Sequence, residues 1–219
     1  MNSPTNKALA ACLVAALFAP LGGCNILAPI FLLVSGPETF EAEHKLNDKR
    51  PTVVFVDDPR SQIPRRALRL EILNAVQDAM LRKGVVEDLI EGQAAIRVAD
   101  SDTSAGQMSV TEVGRALDAD VVVWITVDRF QRPSPTGDTQ ASVTLRVRVV
   151  DAEANVFDYP ASPTGRSVTV TDTIRRGTVA NAAGARTAAE IDIAKKAGLA
   201  AAQLFYEHAV TVHAEDRGL

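Results

Sequence analysis

Five aspartates follow hydrophobic runs of the sequence, and their carboxylates are of the type that binds divalent cations. Asp57 and Asp58 follow one run, Asp100 and Asp102 follow a second, and Asp128 follows a third. If these runs are parallel strands, their carboxyl ends meet at one edge of a sheet, where ligands bind in open α/β folds. Hard oxygen ligands favour Mg²⁺ or Ca²⁺. Aspartate after a strand also commonly forms a turn or caps a helix, so both interpretations stay open.

Other catalytic patterns are missing from the sequence. The histidines His44, His208 and His213 are too scattered for a zinc site. There is no Gly-x-Ser-x-Gly, no phosphate-binding Walker loop and no glycine fingerprint after the first strand. The sequence therefore predicts a protein that is not an enzyme and needs no cofactor. The alternative is a small-ligand or metal-binding enzyme that uses the aspartate edge.

Two aromatic residues mark a candidate contact with a protein partner. Phe157 and Tyr159 lie between two alternating strands, in a segment (152–165) that we expect to be a loop. Arg146 and Arg148 lie on the preceding strand. Exposed aromatic and arginine side chains are enriched where proteins bind one another. The same rings could instead pack under the hairpin as a small core, and the sequence leaves this alternative open.

The charge of the chain argues against nucleic acid as a partner. The chain of 219 residues has 23 Lys and Arg against 27 Asp and Glu, a formal net charge of −4. A nucleic-acid-binding protein needs a concentrated basic surface, and the sequence has no dense basic run.

The amino-terminal residues have the pattern of an export signal. Lys7 precedes an apolar run over 8–19, and Leu-Gly-Gly-Cys ends at Cys24. This ending resembles the bacterial lipobox, which implies cleavage between Gly23 and Cys24 by signal peptidase II and attachment of membrane lipid to Cys24. The alternative is a continuous membrane anchor over 8–34, but prolines and glycines within that span weaken a single helix.

The lipobox resemblance also implies a location and a domain organisation. Asn25 stands where an aspartate retains lipoproteins in the inner membrane of well-studied enterobacteria, so we expect the outer membrane, facing the periplasm. We predict a signal peptide over 1–23, a lipidated tether over 24–51 and a single α/β domain over 52–213. The chain has two cysteines; one leaves with the signal and the other carries lipid, so the mature domain has no thiol for a disulfide or metal site.

Hydrophobic periodicity predicts the elements that position these residues. The order is β-α-β-α-β-β-β-α: a mixed sheet of about five strands with helices mainly on one face. Strands are predicted over 52–57, 95–99, 119–128, 140–151 and 166–174, and helices over 61–83, from Ser109 to about 117, and over 187–210. Alternation in the last two strands predicts that Arg146, Arg148, Thr169 and Thr171 lie on the face without helices.

The run 113–123, Val-Gly-Arg-Ala-Leu-Asp-Ala-Asp-Val-Val-Val, follows a buried strand and a long helix. This pattern, over roughly 52–130, resembles bacterial envelope lipoproteins: the curli-secretion channel lipoprotein, the lipoprotein activators of penicillin-binding proteins, and the amino-terminal domain of the Tol-Pal translocation protein. The resemblance implies a fold related to anticodon-binding domains and a non-enzymatic adaptor or activator that binds another envelope protein.

An oligomeric export component is a second alternative, and a homo-oligomer stays open. Membrane strands need about 9–11 residues with apolar side chains facing lipid. The hairpin over 140–151 and 166–174 is needed to complete the domain sheet, so the sequence argues against a pore.

Overall fold

The computed structural model describes residues 39–101, 108–132, 140–162, 164–173 and 183–209. One compact unit extends from Glu41 to His208, and a second unit takes in Thr39, Phe40 and Ala209 of the described residues. The elements are β1 (Thr39–Phe40), β2 (Thr52–Asp57), α1 (Arg66–Arg82), β3 (Leu89–Ile90), α2 (Gly92–Ser101), α3 (Val110–Ala116), β4 (Val121–Gln131), β5 (Gln140–Asp151), β6 (Val156–Tyr159), β7 (Arg166–Thr173), α4 (Ala183–Ala202), a 3-10 turn (Gln203–Phe205) and β8 (His208–Ala209).

A mixed sheet forms the centre of the large unit, as the sequence predicts. The strand order is β3-β2-β4-β5-β6, and β7 pairs with another part of β5. Strand β2 is parallel to β3 and β4, whereas β5 is antiparallel to β4, β6 and β7. All six residues of β2 are buried, which is the pattern of a parallel strand covered on both faces.

Two helices lie side by side against the sheet. A Cβ added at Gly198 of α4 would lie 2.5 Å from the backbone oxygen of Ile72 in α1, so glycine allows the two helix backbones to approach closely. Lys196 of α4 pairs with Asp172 of β7 at 2.6 Å, which places α4 on the Asp172 face of the sheet. None of the helices in the described part of the chain is long and apolar enough to cross a membrane.

The short helix α3 lies against the opposite face. A Cβ added at Gly114 would lie 2.7 Å from Cγ2 of Val122. The predicted capping box opens this helix: the Glu112 N–H donates to Ser109 Oγ at 3.3 Å and the Ser109 N–H donates to Glu112 Oε2 at 2.7 Å. Both bonds satisfy backbone donors at the helix start. The expectation of helices mainly on one face therefore holds for α1 and α4, with α3 as an addition on the other.

The predicted strand over 95–99 is wrong, because these residues belong to helix α2. Gly92, Ala95 and Ile96 are its buried positions, a spacing of three and four residues that is typical of a helix packed on one side. A short apolar run does not distinguish a strand from a buried helix. The strand that does pair with the edge of β2 is β3, through Leu89 opposite Thr52.

The start predicted for the last helix is also wrong. Thr187 and Glu190 have the spacing of a capping box, but α4 already begins at Ala183 and ends at Ala202. Arg65 Nη1 donates to Thr187 Oγ1 at 3.3 Å, and Arg65 also donates to Glu190 Oε2. Both side chains therefore bind the start of α1 instead of capping α4.

Residues 41–51 of the predicted tether lie within the large unit. Arg50 pairs with Asp151 of β5 at 2.9 Å, and the His44 N–H donates to the Leu204 carbonyl at 3.1 Å. Cys24 and the predicted signal peptide lie outside the described residues.

Candidate interaction surface on the open face of the sheet

One face of strands β4, β5 and β7 is not covered by α4. Trp124 of β4 lies opposite Arg148 of β5, and Thr126 lies opposite Arg146. Further along β5, the hydroxyls of Thr144 and Thr169 are 3.1 Å apart. Because side chains alternate across a strand, these residues point away from Lys196 and Asp172, on the same face as the contact of α3 with Val122. The sequence predicts this side for Arg146, Arg148 and Thr169, but it does not predict α3 there. We call this surface the open face; its residues are Trp124, Thr126, Asp128, Arg146, Arg148 and Phe157.

The guanidinium of Arg148 lies between two aromatic rings. Its central carbon is 4.8 Å from the ring centroid of Trp124 and 5.8 Å from that of Phe157. Phe157 remains 47% exposed. Burial and then the nearby charge of Arg146 lower the pKa of Arg148. A cation over an aromatic face is attracted to the ring, so the stack fixes the orientation of the guanidinium at the surface.

The neighbouring arginine is neutralised by an ion pair. Arg146 donates to Oδ2 of Asp128 from Nε at 2.9 Å and from Nη2 at 2.7 Å. The register between β4 and β5 shifts between Val127 and Arg129, so Asp128 lies in a bulge and its side chain reaches the open face. Arg148 has no carboxylate partner among the described residues.

Three polar atoms of the open face are buried without a hydrogen-bond partner among the described residues: Arg148 Nε, Trp124 Nε1 and Thr126 Oγ1. Buried donors are nearly always satisfied. Burial is the largest influence on the Asp57 carboxyl group and raises the pKa of Asp57 overall. The indole N–H of Trp124 lies towards Asp57 and acts in the opposite direction, although the two groups do not form a hydrogen bond of normal geometry.

The two aromatic residues of β6 lie on opposite faces of the sheet. Phe157 is paired with Val150 and Tyr159 with Val149, so Asp158 is an extra residue that reverses the alternation. The hydroxyl of Tyr159 donates to Glu43 Oε2 at 2.7 Å, and its ring stacks on His44 at 4.9 Å. Phe157 and Tyr159 are therefore in a strand and not in the predicted loop.

Tyr159 belongs to a cluster that fastens residues 43 and 44 to the sheet. Arg166 donates to both carboxylate oxygens of Glu43, at 2.8 and 2.6 Å. Burial and the hydrogen bond to Glu43 raise the pKa of Tyr159 to about 12. Tyr159 therefore packs into a small core, which is the alternative that the sequence left open. Phe157 instead has the exposure expected of a contact with a partner.

The aspartates predicted as a cation site are not brought together. Asp58 accepts the N–H groups of Gln62 at 2.7 Å and Ile63 at 2.9 Å. Asp100 lies in the last turn of helix α2 and pairs with two arginines of α1. Asp128 is paired with Arg146, and Asp102 lies outside the described residues. No group of three or more potential metal-binding side chains is found in the part of the chain that the structure describes.

Sequence reasoning identified Arg146, Arg148 and Phe157 but missed Trp124. This residue is the only tryptophan of the chain and interrupts a run of valine and isoleucine at the start of β4, which is the available signal. Its position opposite Arg148 depends on the β4–β5 register, which the sequence does not specify.

The fold is that of a mixed α/β domain. The chain is similar to several solved structures. No protein family matches the sequence, and no curated protein does. The PelC dodecamer from Paraburkholderia phytofirmans is 10% identical, with a TM-score of 0.43 over 78% of this chain and 97% of that one. Lipoprotein GNA1162 from Neisseria meningitidis is 10% identical, with a TM-score of 0.42 over 67% and 96% of the two chains.

A third similar structure is the LpoB carboxyl-terminal domain from Salmonella enterica. It is 10% identical, with a TM-score of 0.33 over 57% of this chain and 85% of that one. The structural neighbours of the chain include bacterial lipoproteins, among them GNA1162 and a putative lipoprotein from Caulobacter crescentus.

Proposed function

We propose that this chain is a lipid-anchored envelope lipoprotein whose domain faces the periplasm and binds another envelope protein as a non-enzymatic adaptor or activator. Lipid on Cys24 holds the chain to the outer membrane, since each buried methylene contributes about 0.8 kcal/mol. The open face of the sheet is the contact surface.

The stack of Trp124, Arg148 and Phe157 is the observation that carries this proposal. Aromatic residues and arginine dominate the energetics of protein interfaces when they lie in ordered, well-packed positions. Here the guanidinium is already oriented by two rings, so binding loses little side-chain entropy.

The surroundings of three of the predicted aspartates support adaptor function over the enzyme alternative. Asp58, Asp100 and Asp128 each have their own backbone or arginine partners. Carboxylates paired in this way must break existing interactions before they can act on a substrate.

Crosslinked recovery of the tagged full-length protein from its own membranes tests the proposal. Phe157→Ala should reduce recovery of the main crosslinked partner and leave the melting temperature nearly unchanged. Leu81→Ala is the matched control, because Leu81 is 53% exposed on helix α1. Equal recovery with Phe157→Ala and Leu81→Ala would contradict the open face as the contact surface.

A further inference from the structure

We infer that Arg148 is a recognition site for a carboxylate, which an aspartate or glutamate in an acidic segment of the protein partner supplies. This inference rests on the proposed function and adds the chemistry of the partner.

The first support is the charge balance of the open face. Asp128 already accepts two hydrogen bonds from Arg146. Asp57 lies on the same face, opposite Thr126, and the positive charge that acts on it is that of Arg69. Arg148 therefore has no ion pair with a carboxylate among the described residues. Among the described residues, its Nη2 donates to the carbonyl of Thr164 at 3.4 Å, which is a long and weak hydrogen bond. An anionic ligand would complement the remaining charge.

The second support is the geometry of the stack. The central carbon of the Arg148 guanidinium lies 4.8 Å from the ring centroid of Trp124 and 5.8 Å from that of Phe157. These ring contacts do not use the N–H donors of the guanidinium. The N–H groups lie in the plane of the guanidinium. Because Nε is buried, the fork that can face a partner is formed by the two terminal nitrogens, Nη1 and Nη2. A planar fork of donors matches a carboxylate through two parallel hydrogen bonds. The site thus has preorganised donors and lacks only the acceptor.

The surrounding rings also strengthen the expected ion pair. Arg148 Nε and Thr126 Oγ1 are both shielded from water. Electrostatic attraction is stronger where water is excluded.

A carboxylate fits this site better than a phosphate group. Phosphate carries up to two charges and three acceptor oxygens, and it is satisfied by several cations together. Arg146 is already paired with Asp128, so Arg148 is the one guanidinium of the open face without an ion pair in the part of the chain that the structure describes. A single fork and a single charge match one carboxylate.

Trp124 makes the inference directly measurable, because it is the only tryptophan of the chain. The detergent-extracted full-length protein is titrated with a capped hexaglutamate peptide while tryptophan fluorescence is recorded at low salt. We expect a saturable change with hexaglutamate and none with capped hexaglutamine. Arg148→Gln should weaken the apparent affinity at least about tenfold, a loss of about 1.4 kcal/mol.

Arg97→Gln is the matched control. Arg97 lies on helix α2 and pairs with Glu91 on an exposed surface, so its replacement should leave the titration unchanged. If Arg148→Gln does not fold, Arg148→Lys tests the same point, since lysine keeps the charge but loses the fork and should bind hexaglutamate more weakly than the wild type.

Three results would overturn the inference: an equal response to hexaglutamine, an undiminished response in the Arg148 variant, or a stronger response to inorganic phosphate or phosphatidylglycerol vesicles than to hexaglutamate. If hexaglutamate does not bind while recovery of the crosslinked partner still depends on Phe157, only the carboxylate inference is wrong. If hexaglutamate binds at Arg148 but recovery of the partner is independent of the open face, the proposed function is wrong.

Discussion

The guanidinium carbon of Arg148 lies 4.8 Å from the ring centroid of Trp124, directly across the ladder between β4 and β5. The same register pairs Thr126 with Arg146. The site is therefore built on the central strands of the sheet, which are more rigid than loops. Its unpartnered donors cost stability, about 1–3 kcal/mol for each buried donor left unsatisfied, and the core offsets that cost.

Replacement of Arg148 should leave the stability of the domain intact, in contrast to the loss of hexaglutamate binding expected above. Arg148→Met keeps an apolar stem between the two rings and removes the unpartnered buried Nε. We expect the free energy of unfolding, measured with urea, to stay the same or rise by up to about 1 kcal/mol, because the relief of the buried donor offsets the lost cation–ring attraction.

Arg146→Met is the matched control for that measurement. It leaves Asp128 half-buried without its arginine and should lower the free energy of unfolding by about 1 kcal/mol. A larger loss from Arg148→Met than from Arg146→Met would show that Arg148 is mainly a structural residue.

The two aromatic residues of β6 should respond differently to truncation. Tyr159→Ala removes the stacking on His44 and the hydrogen bond to Glu43, so we expect a loss of about 2–3 kcal/mol of stability. Phe157→Ala should cost less than about 1 kcal/mol because the ring is half-exposed. Thermal unfolding of both variants checks this, and similar losses would place both rings in the core.

Two glycines of α4 should give opposite effects when replaced by alanine. A Cβ at Gly198 would lie 2.5 Å from the Ile72 backbone oxygen, whereas a Cβ at Gly184 would meet nothing within 4 Å. Gly198→Ala should destabilise the domain by about 1–3 kcal/mol through overpacking. Gly184→Ala should stabilise it by up to about 1 kcal/mol, since alanine favours the helix. Stabilisation by both changes would contradict the close packing of α1 and α4.

The cluster around Glu43 should make stability depend on acidic pH. The hydrogen bond from Arg166, followed by that from Tyr159, holds the pKa of Glu43 below its usual value despite some burial. A carboxylate with a lowered folded-state pKa contributes stability above the unfolded value of about 4.3, and that contribution is lost as pH falls through the folded pKa.

Glu43→Gln tests this dependence. Urea unfolding from neutral pH to below about pH 4 should show a smaller fall in stability for the variant than for the wild type. Arg166→Gln should act in the same direction, because it removes the main cause of the shift. An unchanged acid dependence in both variants would exclude the cluster as its source.

The lipobox resemblance predicts the fate of the amino terminus. Cys24→Ser should block processing, because only a thiol accepts the diacylglycerol that the lipobox peptidase requires, and the variant should retain residues 1–23. Mass spectrometry measures both outcomes. Cleavage at another site, or a wild-type protein without acyl mass, would contradict the lipid anchor.

The sequence correctly predicts the elements whose pattern of apolar residues is compatible with only one type of secondary structure. Alternation over 140–151 gave the bounds of β5 and the face that carries Arg146 and Arg148. The Ser109 capping box gave the start of α3. Each signal is local, so it needs no knowledge of the neighbouring elements.

The parts that the sequence missed depend on tertiary pairing. Residues 95–99 became helical because α2 buries Ala95 and Ile96 on one side. Phe157 and Tyr159 were separated by an extra residue in β6, and alternation alone gives no sign of it. Glu43 looked like part of a polar tether because its partner, Arg166, is far away in the sequence.

A photo-crosslinking amino acid at position 157 tests the central claim most directly. The full-length protein carrying it is irradiated in its own membranes and compared with the same amino acid at position 81, with and without Arg148→Gln. We predict a protein adduct from position 157 that exceeds any from position 81 and decreases in the Arg148→Gln background. An adduct from position 81 but not from 157, or one from 157 that is unchanged by Arg148→Gln, would contradict the open face as the site of partner binding.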